Sequence, residues 1–443
     1  MFYLNKDKLL DAALLQKMIY SFHTGVEPRL RKYKNYYDGL QAILQKQYAD
    51  ATKPCNKSII NYCKTIADAY TGYLATPGYI SYSSNDDIEE LMNILKYNDY
   101  QTEDSELLQN ALIYGVGAEL MYFDTMGQTR FRTINPTTCF GVYDDSLTGD
   151  LMYFVRIYKL NNWDNSDTYA VDVYSDYDIK HYTMQGYNGA LQFTGEEPHY
   201  FSQCPANIFM LPDEKSIFDC ILSLQDSVNE ILSAEIDEFS AFADAYLILE
   251  GVDADNEDIE QMRRQRAASI PQGAKMYYLT KQSNDTQVEN ILKRLHDSIY
   301  RVAQCPDFSA ETFVGGVSSG IAIRYRLTGM ENKAGAIEGL MKKALQRRIE
   351  IICGIASLKY GEEVFRDIEI DFKRNIPEDI TNIINLVNSL KGSVSDATLL
   401  RQLPFVDDVN EELEALNAQK QASLSLYGFN AFGNNTEDEA EVS

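Results

Sequence analysis

Residues 216–246, SIFDCILSLQDSVNEILSAEIDEFSAFADAY, constrain this chain more than any other stretch, because they run without a proline or a glycine. Apolar side chains recur at Ile221, Leu224, Val228, Leu232, Ile236, Phe239, Phe242 and Tyr246, the three-and-four stepping of one buried helix face. Carboxylates recur at Asp219, Asp226, Glu230, Asp237 and Asp244 and also keep to one side. At about 1.5 Å per residue the stretch predicts a rod roughly 46 Å long, greasy on one face and acidic on the other. An acidic face that is merely solvated is the plain reading of such a helix. A sharper one depends on the rest of the chain.

The chain has 443 residues, enough for two or three domains, and 45% hydrophobic content supports ordinary cores. Its formal charge of −26 argues against gripping nucleic acid by the phosphates, which Lys and Arg drive by releasing counterions. Enclosing DNA without gripping it stays compatible. Cysteines 55, 63, 139, 204, 220, 305 and 353 form no CxxC pair and lie near no histidine cluster, so neither zinc nor a disulfide framework is expected. No apolar run approaches a bilayer span, and a soluble cytosolic protein is expected. Thirty-one tyrosines against one tryptophan suggest broad half-buried surfaces.

Along the chain, helices are predicted over 6–22, 28–50 (opened by Pro28), 56–72, 86–98 and 102–114. Alternating runs then predict strands over 118–123, 130–134, 140–143, 151–159, 168–174, 179–184 and 190–193, an antiparallel sheet in an α+β region. Gly115-x-Gly117 lacks a third glycine opening a helix and reads as a bulge or close backbone approach. After the opening helix, 247–250 and 274–280 read as strands around a short charged helix at 253–266. Helical spacing resumes over 287–304 and again, after a loop with Gly315, Gly316 and Gly320, over 321–357. A strand at 367–372 and helices at 378–390, 395–402 and 409–425 follow. Residues 428–443 form an acidic tail expected to be disordered.

No GxxxxGK[ST] phosphate cradle and no GxSxG elbow occurs, and His23, His181, His199 and His296 are scattered. No catalytic residue, metal ligand or cofactor is predicted, and an enzyme is not expected. Paired carboxylates are too numerous, among 66 acids, for a hydrolase pair to be singled out.

An ordered set of segments carries a resemblance. They are Tyr36-Tyr37-Asp38-Gly39, Asn56-Lys57-Ser58-Ile59-Ile60-Asn61-Tyr62, Tyr70-Thr71-Gly72-Tyr73 and Gly115-Val116-Gly117-Ala118. Further on come Phe242-Ala243-Asp244-Ala245-Tyr246-Leu247, Ser319-Gly320-Ile321-Ala322-Ile323-Arg324-Tyr325, Phe372-Lys373-Arg374-Asn375-Ile376-Pro377 and Leu403-Pro404-Phe405-Val406-Asp407-Asp408. Together they resemble the portal proteins of tailed bacteriophages, the siphophage branch, over nearly the whole chain. Ala75-Thr76-Pro77 departs from the family pattern, in which a glycine would precede the proline.

The resemblance implies an α+β, mainly helical portal fold with wing, stem, clip and crown. Residues 1–212 would be the wing, 213–246 a stem helix, 247–286 the clip, 287–305 the second stem helix and 306–320 the tunnel loop. Residues 321–375 would be the long wing helix and returning strand, 376–427 the crown, and 428–443 the tail. It implies a homo-oligomeric ring of about twelve at one capsid vertex, a conduit through which a separate terminase ATPase drives double-stranded DNA. Implied partners are the terminase large subunit, the major capsid protein and scaffold, and a head-completion adaptor, with no membrane. The site residues expected are the tunnel loop (Phe308, Phe313, Val314, Gly315, Gly316, Val317, Ser318, Ser319), the acidic stripe facing the lumen or a neighbouring subunit, and Arg263, Arg264 and Arg266 of the clip for docking. Another capsid-associated structural protein, or a carboxylate-based hydrolase, are the alternatives.

Overall fold

The computed structural model describes residues 2–49, 53–84, 87–160, 163, 167–242, 246–251, 273–279, 285–309, 320–355, 364–374, 387–400, 409, 412–413 and 415–419. The chain divides into two units, the first comprising 1–317 and 323–375.

In the first unit, helix α1 (Ala12–Ser21) is capped by Asp11, whose side chain accepts the Leu14 N–H at 2.7 Å. A single π turn (Phe22–Val26) leads directly into α2 (Glu27–Tyr37), with Pro28 in its first turn. The helix predicted over 28–50 stops at Tyr37, because Gly39 adopts φ +82 and turns the chain. Only a 3-10 turn, Ala42–Gln45, follows. Helix α3 (Tyr62–Leu74) starts six residues later than the spacing of Ile59, Ile60 and Cys63 suggested. Its cap is Asn61, whose side chain accepts the Lys64 N–H. Helices α4 (Glu89–Tyr97) and α5 (Tyr100–Tyr114) complete the helical part.

Strand β1 (Phe2–Leu4), ahead of α1, and strand β2 (Ile80–Ser83), between α3 and α4, were not predicted. Next come β3 (Val116–Phe123), β4 (Thr129–Ile134), β5 (Cys139–Asp144), β6 (Leu151–Lys159), β7 (Thr168–Tyr174), β8 (Asp178–Gln185), β9 (Gln192–Pro198) and the unpredicted β10 (Ala206–Met210). They form a six-stranded sheet, β1-β5-β6-β7-β8-β9, and a three-stranded sheet, β10-β3-β4. All pairs are antiparallel except β1 with β5. Ala118, Leu120, Cys139, Phe154, Tyr174, Cys204 and Ala206 make a shared core between the sheets. Gly115 and Gly117 fit the close approach read from the sequence. A Cβ on Gly115 (φ +83) would sit 2.5 Å from the Glu214 backbone, and one on Gly117 2.6 Å from the Leu107 carbonyl oxygen.

Helix α6 (Leu222–Phe242) and helix α7 (Asp285–Ala303) pack together. Between them in sequence lie β11 (Tyr246–Glu250) and β12 (Lys275–Leu279), an antiparallel pair. Helix α8 (Gly320–Cys353) buries Leu327, Met330, Ala334, Ile337, Met341, Leu345 and Ile349 at helical spacing. Strand β13 (Glu369–Phe372) then pairs with β2 across almost the whole unit.

One buried charge cluster joins these layers. Arg348 of α8 is wholly buried, with Nε 3.0 and 2.9 Å from the two Glu119 oxygens of β3, and its guanidinium also pairs with Asp104 of α5. Tyr82 of β2 donates to Asp104 at 2.8 Å, and Asn207 of β10 donates to Glu119 at 2.6 Å. Burial pushes the Asp104 carboxyl up, against the pull of Arg348. Removing one partner of so buried a pair costs about 3–5 kcal/mol, so five elements are held in one arrangement.

The second unit takes in 318–322 and 376–443. Its described part holds a bridge between Lys391 and Val394 and a short helix α9 (Asp396–Leu400), started by Ser395 and burying Leu399.

Candidate functional site

Helix α6 carries a second polar stripe beside its carboxylates: Gln225, Asn229, Ser233 and Asp237, four residues apart and buried. Each takes a backbone N–H from residues 56–62, the segment that leads into α3 and the first residue of that helix. Asp237 Oδ1 accepts Asn56 N–H at 2.5 Å, Ser233 Oγ accepts Ser58 N–H at 3.0 Å, Asn229 Oδ1 accepts Ile60 N–H at 3.2 Å and Gln225 Oε1 accepts Tyr62 N–H at 3.0 Å. The match is geometric. Four helical residues rise about 6.0 Å and two extended residues about 6.6 Å, so every second residue of an antiparallel extended strand meets every fourth residue of the helix. Gln225 Nε2 also donates to the Ile60 carbonyl at 2.6 Å, and Asn229 Nδ2 to Gln41 Oε1 at 2.5 Å. This ladder explains why 56–61 is not helical: every second donor, at Asn56, Ser58 and Ile60, is taken by α6.

The acidic stripe is largely occupied by the same chain. Asp219 accepts Tyr33 Oη at 2.8 Å, and Asp226 accepts Tyr36 Oη at 2.9 Å with both oxygens. Asp237, besides Asn56, accepts Lys46 Nζ at 3.2 Å and Tyr48 Oη at 3.1 Å. Glu230 is exposed, and Asp244 lies outside the described residues. Burial works against the Asp237 carboxylate, yet the Asn56, Lys46 and Tyr48 donors outweigh it and hold its pKa below the usual value. Lys46 is pushed up, burial opposing and Tyr48 and Asp237 prevailing. Burial, then the bond to Asp219, raises Tyr33 to about 12, and burial with Asp226 raises Tyr36 further.

At the end of α7, His296 bridges Tyr62 Oη (3.1 Å) and Asp307 Oδ2 (3.0 Å), and Asp307 Oδ1 accepts from Ser309 N (3.0 Å) and Oγ (2.6 Å). Tyr70 and Lys333 donate to the Ala303 carbonyl, satisfying the last turn of α7. Phe308 is half-exposed at the start of the predicted tunnel loop. Phe313, Val314, Gly315, Gly316, Val317, Ser318 and Ser319 lie outside the described residues, as do Arg263, Arg264 and Arg266. Among the described residues no group of three His, Cys, Asp or Glu side chains is placed to hold a metal ion, and no helix is long and apolar enough to cross a membrane.

Sequence reasoning singled out Asp237 but missed Gln225, Asn229 and Ser233. Their four-residue spacing was the signal, masked by the carboxylates beside it. Comparison with known proteins gives concordant results. The family described as phage portal protein, SPP1 Gp6-like, matches residues 22–425. The portal protein of Bacillus phage SPP1 is 23% identical over 425 residues, covering 90% of this chain and 82% of its own length.

Proposed function

Because the chain belongs to the phage portal proteins of the SPP1 Gp6-like family, a structural rather than enzymatic family, we propose that about twelve copies form a ring at one capsid vertex. Double-stranded DNA passes through its centre during packaging and ejection. The observation that carries this reading is the family match, which runs through nearly every element described. The order α6, β11, β12, α7 supports it: two packed rods joined by a strand pair suit a stem (213–246 and 287–305) and a clip (247–286). Residues 1–212 and 321–375 are assigned to the wing, 306–320 to the tunnel loop, 376–427 to the crown and 428–443 to the tail.

A conduit has to pass a polyanion without trapping it, and screening over about 8 Å confines charge effects to close approach. Within one subunit Asp219, Asp226 and Asp237 have partners, so exposed Glu230 is the described member of the stripe best suited to the lumen or a neighbouring subunit. Phe239, 79% exposed on α6, suits packing between subunits. Arg263, Arg264 and Arg266 are assigned to docking of the terminase large subunit and, later, the head-completion adaptor, and the major capsid protein and scaffold are further partners. Native mass measurement with electron-microscope imaging of the purified protein tests the reading. A ring of about twelve with a central hole is expected; a monomer at every concentration overturns it.

A further inference from the structure

A cleft of about 500 Å³ opens between the three-stranded and six-stranded sheets. Its floor is apolar, formed by Leu120, Ile134, Tyr174 and Ile179, an extension of the core that no side chain fills. Two guanidinium groups reach into it. Arg156 stacks on the Tyr158 ring at 4.6 Å, and Asp172, directly across the ladder, bonds His181 at 2.7 Å instead. Among the described residues no carboxylate lies within ion-pair distance of Arg156, and Arg132 has only Glu103, at 3.6 Å.

The mouth is built under strain. Tyr200 has φ +62, a left-handed conformation that a bulky side chain rarely adopts, and stands 75% exposed. His199 fixes it there: its Nε2–H donates to the Ser175 carbonyl at 3.0 Å and its Nδ1 accepts the Phe201 N–H at 3.1 Å. Phe201 is in turn stacked on Phe123 at 4.8 Å. A costly backbone conformation that presents an aromatic ring over an open cationic cleft has the form of a recognition site.

We propose that this cleft docks an acidic peptide segment of a partner protein, seating one apolar or aromatic side chain on the floor and an adjacent carboxylate on Arg132 and Arg156. Charge complementarity selects the carboxylate: Arg156, half-buried with no carboxylate at ion-pair distance among the described residues, gains most from a charge-assisted bond, and Arg132, exposed and 3.6 Å from Glu103, adds a second donor. Side chains enter rather than a strand added to β4, because the outer edge of β4 is already closed. Phe131 N–H donates to Asn98 Oδ1 at 3.1 Å, Thr133 N–H donates to Glu103 Oε2 at 2.9 Å, and Asn98 Nδ2 donates to the Thr129 carbonyl at 3.0 Å. Glu197 on the lip and the single pair of arginines disfavour a nucleic-acid backbone, which needs a row of cations.

The probe is a fluorescein-labelled, end-blocked hexapeptide carrying one phenylalanine beside one aspartate, titrated with the full-length protein and followed by anisotropy. Saturable binding is expected, weakened at least about tenfold when the peptide's aspartate is asparagine or the protein carries Arg156→Gln, and unchanged by Lys96→Gln elsewhere on the surface. Binding that ignores the peptide's charge, or no saturable binding, overturns the proposal. The asparagine peptide reads charge dependence on the unaltered protein, and Arg132→Gln, at the exposed arginine of the cleft, locates the binding should Arg156→Gln fold poorly; binding undiminished by Arg132→Gln and Arg156→Gln alike overturns the proposal.

Discussion

At the scale of single residues, the chain solves a shortage of cations. With 66 acidic residues against 40 lysines and arginines, carboxylates brought indoors cannot all find a positive partner. Tyrosine hydroxyls supply neutral donors, Tyr33 to Asp219 and Tyr36 to Asp226 in place of a cation, and Tyr48 to Asp237 and Tyr82 to Asp104 beside one. The abundance of tyrosine was plain in the sequence; which carboxylate each would meet was not, because the partners come from remote elements. The pairing carries a pH signature. Tyr33, at about 12, keeps its proton in the folded chain where an unfolded tyrosine, near 10, has lost it. Its contribution is therefore complete below pH 10 and disappears as the pH rises through about 12. Tyr33→Phe is expected to cost about 0.5–1.5 kcal/mol at neutral pH. Its urea midpoint should also shift less than that of the unaltered protein between about pH 9 and about pH 11. Equal shifts would show that this proton is not linked to folding.

At the scale of elements, helices whose apolar spacing stands alone were legible. The rods α6, α7 and α8 lie where their periodicity put them, and β3 to β8 follow their alternation. What failed was local pattern against distant chemistry. Residues 56–61 carry helical spacing, yet side chains of α6, such as Asn229 acting 169 residues from Ile60, take alternate backbone donors and hold the segment extended. Strand β1, at three residues, is too short for alternation to show, whereas β2 and β10 are as long as runs that were read as strands and were missed, and β2 has its partner in the remote β13. The polar stripe on α6 was visible at its four-residue spacing but has meaning only once a strand lies along it. A proline scan tests the ladder. Ser58→Pro and Ile60→Pro each remove a donor and are expected to cost about 1–3 kcal/mol more than alanine at the same site, read from urea unfolding. Ile59→Pro removes no rung and should differ little from Ile59→Ala. A uniform penalty at 58, 59 and 60 would mean that the ladder does not stabilise the fold.

At the scale of the whole molecule, the proposed ring depends on parts that meet at the end of α7. His296 and Ser309 pin Asp307, and Tyr70 and Lys333 close the helix, so the stretch carrying Gly315 and Gly316 leaves from a fixed point. If those glycines let the loop change conformation around DNA, Gly315→Pro should leave the ring mass unchanged while lowering the DNA packaged per capsid. Normal packaging by that variant would remove loop movement from the mechanism. The four rungs between α6 and residues 56–62 bear on the same question mechanically. They are spaced along the helix axis, so a thrust parallel to that axis strains all of them together, as in shear. A sideways pull would peel them one after another, beginning at Asp237 or Gln225. A stem helix fastened in this way resists push and recoil along its length far better than it resists being levered outward.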